Sequence, residues 1–209
     1  MVIKETVTEL TTFALWMEAI GTILSAIGNT PSNFFTQTFL NDLDNIGDIL
    51  QVGGTGIQID DENVFSLNKL GNYIIVGGNL EEIGADLILE RGSILQQTLL
   101  NQGNAIQAVG TGLALIYSLE QYPSLSNIVG LYANLLQIIG LLFQVVAGKF
   151  PSGNTSGTII NTIGNWLQAM GAVLAVISQK IETAHPTSSF SNSKQDKYNY
   201  GYYLQNTSA

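Results

Sequence analysis

Glycines recur along this chain at an almost constant interval, and that regularity constrains the fold more than any other feature. The interval is about thirty residues across the series Gly21, Gly53, Gly84, Gly110, Gly140 and Gly171. Two segments, 103–110 and 164–171, also share the pattern Gly-Asn-x-aliphatic-Gln-Ala-aliphatic-Gly. A period of this size is typical of helical repeat arrays. The simplest repeating unit is therefore one long helix.

Proline and glycine signals divide the chain into six predicted helices. These span residues 4–27, 33–52, 63–90, 93–120, 124–148 and 156–184. A single helix bent near Gly92 is an alternative for the third and fourth. Short extended pieces are expected only near residues 56–60 and 196–204, because no other segment alternates strongly between apolar and polar residues. The predicted fold class is all-α, a bundle or array of about six long glycine-rich helices with an extended C-terminal tail.

Composition changes after the last predicted helix and suggests two regions. Residues 1–186 form the helical repeat domain, and residues 187–209 form an arm rich in Ser, Asn and Tyr. Four tyrosines of this arm follow an extended pattern, at Tyr198, Tyr200, Tyr202 and Tyr203. Tyrosine is enriched where proteins contact one another, so the arm is expected to mediate assembly between copies. The alternative is a disordered tail, which the composition favours.

Several helices carry two glycines seven residues apart, a spacing that places both on the same side of a helix. The pairs singled out for helix packing are Gly21 and Gly28, Gly103 and Gly110, and Gly164 and Gly171. A glycine inside a helix costs conformational entropy, and close approach of a second backbone is the usual compensation. A phosphate-binding loop at residues 53–56 is disfavoured because the segment lacks Gly-Lys-Ser/Thr.

Polar residues in two helices fall on narrow stripes. The stripe of the fourth helix contains Gln97, Asn104, Thr111 and Ser118, and that of the sixth contains Thr158, Asn161, Asn165 and Gln168. Most of each remaining circumference is apolar. Such a stripe can face water in a crowded assembly, or it can face inward as a hydrogen-bonded contact between helices in a membrane or a core.

Charge is sparse, since Asp, Glu, Lys and Arg make up 11% of the chain and the mean hydropathy is +0.25. Two runs, residues 121–148 and 150–179, contain no charged residue and are long enough to cross a bilayer as helices. The amides within these runs, and the absence of a strong Lys/Arg bias between short loops, count against a membrane location. Membrane insertion is therefore retained as an alternative.

No catalytic, cofactor-binding or metal-ligating residue is predicted. The chain has one histidine, His185, and no cysteine, so a catalytic triad or a zinc site cannot be assembled. Acidic residues beginning at Asp42 resemble the start of a calcium loop, but Ile46 and Gly53 occupy the positions of two oxygen ligands. The protein is expected not to be an enzyme and to need no cofactor.

The remaining acidic residues are interpreted as structural. The pair Glu81 and Glu82 is expected to be solvated, and residues 60–62 are expected at a helix N-terminus, where acids favour the helix dipole. The net charge of −9 disfavours nucleic acid as a partner. No secretory signal is predicted at the N-terminus. The expected location is cytoplasmic or spore-associated, with a membrane as the alternative.

The repeated units at residues 103–110 and 165–171, in which Leu/Ile-Gln-Ala-aliphatic-Gly follows an asparagine, resemble the uncharacterised repetitive proteins of spore-forming Bacillus species. The similarity covers roughly residues 10–180. The resemblance implies a bacterial source and a sporulating cell, and it carries no catalytic residue.

Together these features favour a non-enzymatic structural protein. The sequence predicts self-association into a homo-oligomer or an ordered lattice, layer or crystal linked to sporulation. The alternative is a membrane-active or integral membrane helical protein. A carrier with an apolar cavity between its helices is a third, weaker hypothesis.

Overall fold

The computed structural model describes residues 2–62, 64–151 and 153–185, with side chains from Glu9 onward. Within these residues the fold is all-helical. The helices are α1 (Val2–Gly28), α2 (Gln37–Asp61), α3 (Leu67–Ile88), α4 (Ile94–Glu120), α5 (Leu125–Ala147) and α6 (Thr155–Ala184). Helices α2 to α6 each begin at a Ser, Thr or Asn whose side chain accepts a hydrogen bond from a backbone N–H three residues later. These caps satisfy backbone donors that the first helical turn leaves unpaired.

The six helices form a closed ring. Each helix packs against the helix before it and the helix after it, and the ring closes where α6 packs against α1. Consecutive helices alternate in direction, since short loops join them. The loops α1–α2, α3–α4 and α5–α6 therefore lie at one end of the ring, and the loops α2–α3 and α4–α5 lie at the other. This arrangement encloses a central axis that all six helices face.

Within the ring, the most extensive contacts join α1 to α2, α3 to α4 and α5 to α6, so the structural unit is a helical hairpin. Each hairpin has a reciprocal contact between two glycines, Gly21 with Gly47, Gly78 with Gly103, or Gly140 with Gly164, and the α3–α4 hairpin has a second one, Gly71 with Gly110. A Cβ on Gly21 would lie 2.5 Å from the Gly47 carbonyl oxygen, and a Cβ on Gly164 would lie 2.6 Å from that of Gly140. Two repeats of about thirty residues thus form one structural repeat.

The α1–α6 contact closes the ring with small side chains. Ala19, Ala172 and Val176 form a buried cluster, with Leu15 and Val173 packed against it. Three hydrogen bonds join α6 to the loop that follows α1: the Thr162 hydroxyl donates to the Asn29 carbonyl at 2.8 Å, Asn161 Nδ2 donates to Asn29 Oδ1 at 2.9 Å, and the Trp166 indole donates to Thr30 Oγ1 at 3.0 Å.

The structure excludes one alternative from the sequence, a single bent helix in place of α3 and α4, and shows two local predictions to be wrong. Helices α3 and α4 are separate, and Gly92 lies between them at a φ of 78°, a conformation that favours glycine. Helix α2 continues through residues 53–60, because tertiary packing outweighs the low helix propensity of its glycines. Asp60 and Asp61 consequently lie in the last turn of α2 and not at a helix N-terminus.

The predicted arm, residues 187–209, and its four tyrosines lie outside the described residues. The extended piece predicted near residues 196–204 lies there as well. The boundary between the helical domain and the arm stays a prediction.

Candidate functional site: the polar interior of the ring

The interior of the ring is polar. Each of the six helices contributes at least one polar side chain to a central space, which we call the lumen. Its lining consists of Ser25, Asn29, Asp44, Asp48, Gln51, Asn79, Glu82, Asp86, Leu100, Asn104, Gln107, Gln144, Asn161, Asn165 and Gln168. Leu100 is the single aliphatic member of this set. The lumen is therefore lined with amides and carboxylates where a soluble helical bundle would have a hydrocarbon core.

The lumen opens at one end of the ring. A cavity of about 720 Å³ lies between the loops α1–α2, α3–α4 and α5–α6, and we call it the mouth. Its lining includes Asn41, Arg91, Gln97, Asn101 and Thr158. Below the mouth a second cavity of about 100 Å³ is bounded by the lumen residues. The two cavities adjoin, since Asn29, Asp44, Asp86 and Asn104 are among the residues that line both.

A layer of glutamines crosses the lumen. Gln51, Gln107 and Gln168 each lie four residues after a hairpin-contact glycine, so the three hairpins place them equivalently. Gln168 Nε2 donates to Gln51 Oε1 at 3.5 Å, although α6 and α2 are not neighbours in the ring. Gln144 Nε2 donates to Gln168 Oε1 at 2.8 Å. The first of these bonds links two hairpins across the axis, and the second joins α5 to α6 within one hairpin.

Asp48 lies beside this layer and is 8% exposed. Its Oδ1 accepts a hydrogen bond from the Ser25 hydroxyl at 2.9 Å and another from Gln51 Nε2 at 3.2 Å. Glu82 lies on α3, is 9% exposed and interacts electrostatically with Asp48. Its Oε1 is buried and has no hydrogen-bond partner. Two acidic side chains thus share a small polar cavity.

Two further carboxylates lie nearer the mouth. Asp44 Oδ1 accepts a hydrogen bond from Asn29 Nδ2 at 2.7 Å, and Asp86 Oδ1 accepts one from Gln96 Nε2 at 2.8 Å. Arg91, which lines the mouth, is near enough to attract both carboxylates. The lumen and its mouth therefore contain four acids, whereas Arg91 is the single cation among the side chains that line them.

Another interior carboxylate lies on α1. Glu18 Oε2 accepts a hydrogen bond from Gln58 Nε2 at 2.8 Å, and Gln137 of α5 also interacts with it. Beyond them, the Thr11 hydroxyl donates to Asp61 Oδ2. Polar contacts therefore continue past the lumen toward the end of the ring where α1 begins.

The outside of the ring is apolar. The buried apolar residues of the ring are mostly alanines, whereas large aliphatic and aromatic side chains are exposed on every helix. We call the exposed residues of the helix faces the outer belt, which includes Phe13, Trp16, Ile20, Ile46, Ile49, Tyr73, Leu80, Val109, Ile116, Tyr132, Leu135, Ile139, Leu142, Ile159, Ile163, Trp166, Met170 and Ile177. Exposed charged side chains of the described residues lie in loops or within two helical turns of a helix end.

Three helical segments are long and apolar enough to cross a membrane, judged by length and composition. They are residues Glu9–Gly28, Leu125–Ala147 and Thr155–Ala184. They belong to α1, α5 and α6, which are consecutive in the ring. One continuous side of the ring is therefore the most apolar.

The six glycines singled out from the sequence all lie at contacts within a hairpin. A Cβ on any of them would come within 2.5 to 2.8 Å of a backbone oxygen of the partner helix. The polar stripes of the fourth and sixth helices face inward, as one of the two sequence interpretations expected: Asn104, Asn161, Asn165 and Gln168 line the lumen.

Sequence reasoning missed the interior carboxylates. Glu82 was expected to be solvated, but it is buried in the lumen. Asp48 and Gln51 were also missed, although residues 47–51 match the first five positions of the repeated pattern with Asp in place of Asn. That match was the available signal. Among the described residues, no group of three or more His, Asp or Glu side chains is placed to hold a metal ion directly, and His185 is exposed at the end of α6.

Comparison with known families finds a match over most of the chain. A family of unknown function, DUF6944, matches residues 9–176. The chain belongs to this family. No curated protein and no solved structure shows significant similarity. The DUF6944 segment contains all the lumen residues from Ser25 to Gln168 and most of the outer belt. The family description names neither Bacillus nor repetitive proteins, so that resemblance stays a prediction.

Proposed function

We propose that the protein is an integral membrane protein whose ring of six helices places its apolar outer belt against lipid and encloses a polar lumen. The observation that carries this proposal is the inverted distribution of side chains. Large apolar residues are exposed on the outside, and amides and carboxylates are buried inside. This function was the alternative hypothesis from the sequence, and the geometry favours it over self-assembly in water.

The outer belt argues for lipid because of its extent. Monomeric soluble proteins rarely expose apolar patches larger than about 300–600 Å². Here all six helices expose large apolar side chains, including Trp16 at 45%, Leu80 at 53% and Tyr132 at 61%. Burial of such area in lipid contributes about 25 cal/mol per Å². In water, the exposed apolar side chains would not gain this stabilisation.

The contacts between helices also fit a membrane environment. Apolar attraction between helices is weak in lipid, so membrane helices associate through small residues and polar side chains. The hairpins pack glycine against glycine, and the α1–α6 contact packs alanine against alanine. An amide hydrogen bond between Gln168 and Gln51 crosses the lumen, and one between Gln144 and Gln168 joins α5 to α6.

Helix length is compatible with insertion. The shortest helix, α3, has 22 residues and is about 33 Å long, and the hydrocarbon core of a bilayer is about 30 Å thick. Helices α2 and α3 have lower average hydropathy in part because they carry Asp44, Asp48, Glu82 and Asp86. In the ring these acids line the lumen, so the low average does not describe the lipid-facing side.

Flotation on a density gradient tests the proposal. The protein, synthesised in the presence of phosphatidylcholine vesicles, is expected to float with them and to stay with them after washing in alkaline carbonate. Ordered particles that sediment without lipid would instead support the self-assembly hypothesis. A monodisperse protein that neither floats nor assembles would contradict both hypotheses.

A pair of variants makes the flotation test specific for the outer belt. Leu135→Arg places a charge on the exposed face near the middle of α5. A charge at that depth costs about 2.5–3.5 kcal/mol, so flotation is expected to fall. Phe34→Arg is the matched control, because Phe34 is 95% exposed but lies in the α1–α2 loop. Equal flotation of both variants would argue against embedding of the belt.

A further inference from the structure

We infer that the lumen is a binding site for a small inorganic cation that keeps part of its hydration shell. The site lies below the mouth, between Asp48 of α2 and Glu82 of α3, with Asp44 and Asp86 on the side of the mouth. This inference rests on the proposed membrane function, because it assigns a ligand to the interior of the same ring.

The first observation is a cluster of four acidic side chains in an enclosed space. Asp44, Asp48, Glu82 and Asp86 interact electrostatically with one another. Arg91 attracts Asp44 and Asp86 from the mouth, and it is not among the residues that line the smaller cavity. Unpaired charges in a low-dielectric interior are costly unless a counter-charge accompanies them. A bound cation supplies that counter-charge.

The second observation is independent of charge, because it concerns unused hydrogen-bonding capacity. Glu82 Oε1 and Asn104 Oδ1 are buried acceptors without a partner, and both residues line the smaller cavity. Asn79, which is 1% exposed, lines the same cavity with an unpartnered amide nitrogen. Buried polar atoms are nearly always satisfied by protein, water or a ligand. These atoms therefore point to occupants of the cavity.

The chemistry of these groups selects the class of ligand. Carboxylate and amide oxygens are the ligands that hard cations such as Na⁺, Mg²⁺ and Ca²⁺ take. The smaller cavity, of about 100 Å³, has room for an ion and several waters. Because the acidic groups do not converge on one point, the site suits an ion bound partly through water. Mg²⁺ in particular keeps several waters when it binds proteins.

The test compares thermal melting in chloride salts at matched ionic strength. Purified protein is heated in NaCl, MgCl₂ or CaCl₂, with choline chloride as the reference because choline is too bulky for a small hydrated-ion site. At least one small cation is expected to raise the melting temperature by about 5 °C or more at a hundredfold excess over its dissociation constant. Equal melting in all four salts would overturn the inference and would indicate that protons neutralise the acids.

Two double variants locate the effect. Asp48→Asn with Glu82→Gln is expected to abolish the shift. Asp42→Asn with Glu81→Gln is the matched control, because it removes the same charge from the same two helices at sites outside the lumen. The control is expected to keep the shift, and an equal loss in both variants would refute the site.

A third variant covers the case in which the first fails to fold, as judged by circular dichroism. Asp44→Asn with Asp86→Asn is expected to lower the apparent cation affinity by about tenfold or more, and an unchanged affinity would contradict the inference. The two proposals fail separately. Flotation without a cation-dependent shift would refute the cation site alone, whereas a shift in protein that does not float would refute the membrane location alone.

Discussion

At the scale of single residues, the glycines of α4 provide a matched pair. A Cβ on Gly110 would lie 2.6 Å from the Gly71 carbonyl oxygen, whereas a Cβ on Gly112 would meet nothing within 4 Å. Gly110→Ala is therefore expected to destabilise the fold by about 1–3 kcal/mol through overpacking. Gly112→Ala is expected to stabilise it by as much as about 1 kcal/mol, since alanine is the better helix former.

Denaturation of both variants in the same detergent measures this difference. The opposite signs make the comparison independent of the general effect of replacing glycine in a helix. Similar shifts for Gly110→Ala and Gly112→Ala would show that the hairpin contact does not require glycine at position 110.

The sequence could predict where small residues lie at helix contacts, but it could not predict whether each acidic side chain faces the lumen or the outside of the ring. The seven-residue spacing of Gly103 and Gly110 identifies one side of a helix, and that side meets the partner helix. Glu81 and Glu82 are adjacent in sequence, yet Glu82 alone is buried. Which of two neighbouring acids faces the axis depends on the rotation of α3 within the ring, and rotation is set by contacts distant in sequence.

At the scale of helices, the existence of all six was predictable, whereas some boundaries were not. Pro31, Pro123 and Pro151 mark loops because proline cannot continue a helix. The glycines at residues 53–56 resemble the same kind of signal, but α2 passes through them. There Gly54 packs against the Ala14 carbonyl oxygen of α1. Local propensity cannot reveal a tertiary contact of this kind.

Closure of the ring by α1 and α6 leads to a cross-linking prediction. The chain has no cysteine, so an introduced pair is unambiguous. Ala19→Cys with Ala172→Cys places two thiols in the same buried cluster, and oxidation is expected to join them within one chain. The product should migrate faster on a denaturing gel without reducing agent, because the cross-link closes a long loop.

Ala19→Cys with Ala114→Cys is the control, since α1 and α4 do not pack against each other among the described residues. Both control positions are buried alanines, so the two variants perturb packing similarly. Efficient cross-linking of the control, or none in the α1–α6 pair, would contradict the order of helices in the ring.

At the scale of the whole molecule, polar side chains are buried inside the ring and large apolar side chains are exposed on its outside, which reverses the usual distribution in a soluble protein. Composition predicted a surplus of apolar residues but could not decide whether water, protein or lipid receives it. The closed ring supports the proposed location in lipid, because closure turns the amide stripes inward and leaves the outer belt outside. A stripe on an isolated helix carries no information about which side is enclosed.

The last prediction uses tryptophan to distinguish the two surfaces. Trp16 and Trp166 are the two tryptophans of the chain, and both belong to the outer belt. In phosphatidylcholine vesicles whose acyl chains carry bromine, their fluorescence is expected to fall strongly, because a lipid-facing indole contacts the quencher. Acrylamide, a neutral quencher dissolved in the water, is expected to have little effect on them.

Two single-tryptophan variants of one helix complete the test, both in a background in which Trp16 and Trp166 are changed to Phe. Leu100→Trp places the reporter at the lumen, and Val109→Trp places it on the outer belt, where Val109 is 60% exposed. Acrylamide entering through the mouth should quench the reporter at position 100, whereas brominated lipid should quench the reporter at position 109. Because both positions lie on α4, a soluble particle without lipid contact would not give this reciprocal pattern. The same quenching by both agents at both positions would rule out a lipid-embedded ring with a water-filled interior.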